Sequence, residues 1–83
     1  MFNFLKKKIR IKKSYRVKVD NFFVASDDLL LTNNVHRALS IYDIDKAINI
    51  ASKFNLYNTF IIENGDGRVT YIPLDLIWPE NLL

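Results

Sequence analysis

The sequence predicts an α+β fold: a small antiparallel sheet in the order ββ(β)-α-ββ, with one helix packed on one face. Three observations carry that expectation. Apolar and polar residues alternate from Ser14 to Val19, a helical period runs from Asp43 to Phe54, and a turn rich in glycine separates two β-rich runs at 60–62 and 69–72.

In the first strand Tyr15, Val17 and Val19 alternate with Arg16 and Lys18, so one side of the strand is dry and the other wet. Asp20-Asn21 reads as a turn, because short Asx side chains tolerate left-handed backbone and hydrogen-bond locally. Phe22-Phe23-Val24-Ala25 is then the returning strand. Ser26-Asp27-Asp28 breaks the chain again, and Leu29-Leu30-Leu31-Thr32 is either a third strand or an extended connection.

The helix begins at Asp43, whose carboxylate can accept from the unpaired amides of the first turn. Asp45 adds negative charge at the positive end of the helix dipole. Ile44, Ala47, Ile48 and Ala51 share one face, with Phe54 extending the stripe and Asn55 as a left-handed C-cap. The small Ala47 and Ala51 let such a helix lie close to a sheet. After Leu56, Phe60-Ile61-Ile62 and Val69-Thr70-Tyr71-Ile72 flank Asn64-Gly65-Asp66-Gly67, whose glycines can take the positive φ of a tight hairpin turn. Pro73 ends the last strand, because it has no N–H to give to a ladder.

Eighty-three residues with 49% apolar and 25% charged content, 2 Gly and 2 Pro fit one small domain and exclude a disordered or collagen-like chain. With no cysteine, disulfide scaffolds, thiol catalysis and cysteine-ligated zinc are excluded. No apolar run approaches the ~18 residues of a membrane span. Basic residues stand where the h-region of a signal peptide should begin, so a cytoplasmic location is expected.

The net charge of +3 is unevenly placed. Residues 1–19 carry Lys6, Lys7, Lys8, Arg10, Lys12, Lys13, Arg16 and Lys18 and no acid, whereas residues 20–83 are net acidic. We therefore expect a basic N-terminal arm or short helix over 1–13, and a single α+β domain with an apolar tail over 14–83. Such a polarity suits an interaction segment for acidic protein, phosphate or anionic lipid, or simply a solvated face. As a helix, the arm would put Phe2, Leu5 and Ile9 near one face, but about two turns anchor only weakly to a membrane surface. As an extended arm it neutralises phosphates without reading sequence. Tyr15, Phe22 and Phe23 offer rings for stacking bases, although alternation assigns Tyr15 and Phe22 to the core.

Catalytic chemistry finds no footing. Asn64, Asp66 and Gly67 match the middle of a calcium loop, but that frame puts Ile62 at its first position and Pro73 at its twelfth, where carboxylates are required. His36 is the single histidine and stands in no recognised ligand or base motif. No nucleophile–base–orienter set and no glycine-rich phosphate loop is present. The sequence thus predicts no enzyme, no catalytic residue, no metal site and no cofactor. In the tail, Leu76, Ile77 and Trp78 are expected to fold back and cap a sheet edge or core end. The alternative is that Trp78 anchors a partner or a homodimer.

Residues of about 14–63 resemble the small proteins common in phages and other mobile elements of low-GC Gram-positive bacteria. The resemblance lies in Tyr15-Arg16-Val17-Lys18-Val19-Asp20-Asn21-Phe22-Phe23-Val24, in Leu31-Thr32-Asn33 and Ala38-Leu39-Ser40-Ile41, and in the helix stretch Asp43 to Phe54. It implies a ββαββ-like fold and a protein that binds and blocks a host machine, such as a restriction or CRISPR effector or a replication or transcription factor. It assigns no functional residue. The expectation is a small non-enzymatic module that binds a host protein through the basic arm and through Phe23 and Trp78. The alternative is an accessory protein that binds nucleic acid through the arm.

Overall fold

The computed structural model describes residues 13–77. Its first strand, β1 (Ser14–Val19), follows the alternation in the sequence, with Tyr15, Val17 and Val19 buried and the residues between them half-buried. Asp20 turns the chain with φ of 55°, and β2 (Phe22–Val24) returns antiparallel, Val19 facing Phe22 and Lys18 facing Phe23. The run after Asp28 settles as a strand only at β3 (Leu31–Thr32), which pairs with β2. Leu29 precedes it at φ of 65°, held by its N–H to the Ser26 carbonyl. Where β2 runs out, Ile41 takes its place beside β1, exchanging two backbone hydrogen bonds with Tyr15.

Helix α1 (Ile44–Ala51) starts as expected: the Asp45 N–H donates to Asp43 Oδ1 at 3.0 Å. It ends three residues sooner than the pattern suggests. Ser52 Oγ donates to the Asn49 carbonyl, and the N–H groups of Lys53 and Phe54 reach back to Ile50 and Ala51, tightening the last turn. Asn55 is accordingly no left-handed C-cap. Its φ is −67°, and its side chain opens the next 3-10 turn, Leu56–Asn58, by accepting from the Tyr57 N–H.

β4 (Thr59–Gly65) and β5 (Arg68–Pro73) form the second hairpin. The turn is two residues long, Asp66 and Gly67, with φ of 54° and 75°. Gly65 therefore plays a different part from the one expected of it. It pairs with Arg68, and a Cβ there would stand 2.8 Å from Lys13 Cγ, so its bare backbone lets Lys13 pass close by. The whole sheet runs β3-β2-β1-β4-β5, with β1 between the two hairpin partners rather than at an edge.

One core holds these parts together. Val17, Val24, Ala47, Ala51, Ile61 and Leu74 are fully buried in a cluster with Tyr15, Val19, Ile41 and Ile50. Ala47 and Ala51 bring α1 down onto β1 and β4, and Leu29, Leu39, Ile44, Ile48, Phe54, Leu56, Ile72 and Ile77 close the margins. Two expectations are corrected here. Phe22 lies 45% exposed instead of in the core, because β2 is only three residues long and α1 does not reach its outer end. In the tail, residues 74–77 are helical and Leu74 and Ile77 face the core, which turns Leu76 outward at 69% exposure. Trp78 and residues 1–12 lie outside the described residues.

Candidate functional site

Strand parity decides which side chains share the second face of the sheet. Arg16 and Lys18 point away from the helix, since Tyr15, Val17 and Val19 point toward it. The register carries that assignment across the sheet. One row reads Thr32, Phe23, Lys18, Phe60 and Pro73; the next reads Arg16, Ile62 and Tyr71; a third reads Ser14, Asn64 and Val69. Ile62 fits this geometry, being buried at 4% exposure yet no member of the core cluster. Every described element that packs on the sheet sits on the other side. The open face is left without a covering element among the described residues.

Its chemistry is one-signed. Among the described residues Arg16 and Lys18 are the cations at its strand positions, and none of those positions holds a carboxylate. Neither cation makes an ion pair among the described residues. Lys18 Nζ donates to the Asp20 carbonyl and stands 5.7 Å from the centre of the Phe60 ring. The ring's negative face steadies the ammonium there. Phe23 and Phe60 are half-buried on either side of Lys18, and Tyr71 is 55% exposed in the next row.

The residues expected from sequence to bind a partner separate into groups. Lys6, Lys7, Lys8, Arg10 and Lys12 lie outside the described residues, as does Trp78. Lys13 points to the helix side and faces Glu63 at 3.7 Å. Only Arg16, Lys18 and Phe23 meet on the open face. Tyr15, offered as a stacking ring, is buried beneath the helix. Phe60 and Tyr71 complete the face, and the sequence pattern alone does not assign them to it. Phe60 sits in the unbroken apolar run Phe60-Ile61-Ile62, which carries no alternation from which its side could be read.

Other candidates for chemistry carry less. A concavity of about 360 Å³ at the tip of the second hairpin is lined by Lys13, Glu63, Gly65, Asp66, Arg68 and Thr70. Its two cations and two acids offset one another. His36 is exposed in the 3-10 turn Val35–Arg37, where its own N–H is held by Asn34 Oδ1. Among the described residues no three His, Cys, Asp or Glu side chains converge. No helix there is long and apolar enough to cross a membrane.

The outer edge of β5, unpaired among the described residues, is the remaining feature. The Tyr15 N–H turns to Ile41, so the hydrogen bonds of Arg16 run the other way, to Ile62. Ile61, Glu63 and Gly65 must then bond toward β5, which leaves Val69, Tyr71 and Pro73 facing outward. Pro73 agrees, because its missing N–H would otherwise break the ladder. No family model matches this chain, and no curated protein or solved structure matches it.

Proposed function

We propose that this chain is a non-enzymatic binding module that takes an anionic polymer, nucleic acid, on its open sheet face, in the cytoplasm of a bacterial host of a mobile element. The observation that supports this reading is the face itself: two cations among aromatic rings, with no carboxylate at any of its strand positions. Size argues in the same direction. From β2 to β5 the face spans three strand spacings, about 14 Å, and from Ser14 to Lys18 about as much again along the strand. With side-chain margins that is about 400 Å², half of the ~800 Å² each partner gives to a standard protein–protein interface. A narrow linear ligand suits such a patch better than a globular surface. The basic arm, with five further cations over residues 6–12, would extend the same electrostatic attraction.

The test is a salt titration of oligonucleotide binding by the full chain and by the double variant Arg16→Gln/Lys18→Gln. Removing two phosphate contacts should flatten the slope of log affinity against log salt by about 1.4 for a single strand. An unchanged slope would remove the face from the binding site.

A second reading, a module that docks on a host protein and blocks it, is favoured by the β5 edge. Val69 and Tyr71 offer outward N–H and C=O groups beside side chains that are 57% and 55% exposed. A partner strand added there would be held by main-chain hydrogen bonds. Val69→Pro removes one outward donor and leaves the β4 ladder intact. In this reading it should abolish co-purification of a stoichiometric host protein while oligonucleotide binding persists.

A further inference from the structure

We infer that the nucleic acid on the open face is single-stranded, with bases stacked on Phe60 and Tyr71 and phosphates paired with Lys18 and Arg16. This rests on the reading of that face as an anion-binding surface and adds which form of the polymer it takes. Two observations carry it.

The first is the spacing of the rings. Tyr71 faces Ile62, and Phe60 lies two residues along β4 from Ile62, so Phe60 and Tyr71 are diagonal neighbours. Backbone positions so placed stand about 7–8 Å apart, with their Cβ atoms somewhat closer. Successive bases in a duplex strand rise only about 3.4 Å. Bases seated on both rings must therefore come apart from one another, which a single strand allows and a paired duplex resists. Lys18 lies in the row of Phe60 and Arg16 in the row of Tyr71, so each ring has a cation one or two strands away. A base that takes the Phe60 ring displaces the Lys18 ammonium now standing over it, and the freed charge meets that base's phosphate, while Arg16 serves the base on Tyr71.

The second is relief. A duplex is read by an element that enters a groove, a helix or a two-stranded ribbon. Among the described residues none rises from the open face, since α1 and residues 74–77 pack on the opposite one. A flat platform of rings and cations is the arrangement that binds unpaired bases without demanding a sequence.

The experiment measures fluorescence anisotropy of the full chain with a labelled twelve-residue oligothymidine and with a labelled twelve-base-pair duplex, at one fixed salt concentration. The inference expects the single strand to bind at least ten-fold tighter. Tyr71→Leu and Phe60→Leu, which keep an apolar body and remove the ring, should each weaken the single strand about five-fold or more and leave the duplex unchanged. Tyr71 is exposed and outside the core, so its variant stays informative even if Phe60→Leu unfolds the chain. Equal affinity for both forms, or single-strand binding indifferent to Tyr71→Leu, overturns the inference. In that case the anion-binding reading still stands if Arg16→Gln/Lys18→Gln weakens both ligands. Failure of both oligonucleotides to bind sinks the two together.

Discussion

Replacing Ile61 by alanine separates the two faces of the sheet in energetic terms. Ile61 is fully buried at the centre of β4, opposite Val17 and beneath α1. The substitution deletes three carbons, about 2.4 kcal/mol at ~0.8 kcal/mol per buried methylene, and the cavity left behind brings the total to about 3–4 kcal/mol. A chain of this length has about 4–12 kcal/mol of stability in all, so the loss is a large fraction of it. At about 4–8 °C per kcal/mol for a domain this small, the melting midpoint should drop by about 12–32 °C. Ile62→Ala makes the comparison. Ile62 is almost as buried but lies on the open face and outside the core cluster. Water and the flexible side chains of Arg16 and Tyr71 can refill its site, so the cavity term falls away and the cost should stay near the transfer term of about 2.4 kcal/mol. Urea denaturation followed by circular dichroism gives both values. Equal costs for the two variants, or a loss below about 1 kcal/mol for Ile61→Ala, would refute the one-sided core.

Three further outcomes follow from local structure. Asp43→Ala leaves the Asp45 N–H without its acceptor and should cost about 1 kcal/mol, read from the urea midpoint at an unchanged slope. Gly67→Ala forces a Cβ onto φ of 75°, where nothing crowds it but the backbone itself resists, and should cost about 1–2 kcal/mol in thermal unfolding. Thr59→Val keeps the shape of a buried side chain whose Oγ1 donates to the Asn55 carbonyl at 2.5 Å, and should cost about 1 kcal/mol with the fold unchanged by NMR.

Much of the fold is legible in the amino-acid order, because the signals involved are local. Alternation in residues 14–19 assigns Arg16 and Lys18 to the side opposite the core, and Asp43 marks the start of α1. Features that depend on distant pairing are not legible. Nothing local places β1 between β2 and β4, and nothing in Phe60-Ile61-Ile62 reveals that the first and third residues face away from the helix. That register joins Lys18 to Phe60 across more than forty residues of chain, so the candidate site emerges only once the sheet is assembled. Phe22 and Leu76 stay exposed for a related reason. Apolar character marks a residue for burial, but burial also needs a neighbouring element long enough to cover it, and β2 and the 74–77 turn end too soon.

The most direct check is a map of amide chemical shifts in the full chain as oligothymidine is added. The account predicts that the changes gather at Arg16, Lys18, Phe23, Phe60, Ile62 and Tyr71, with α1 silent. Changes that spread over α1, or that stop short of β4 and β5, would contradict it.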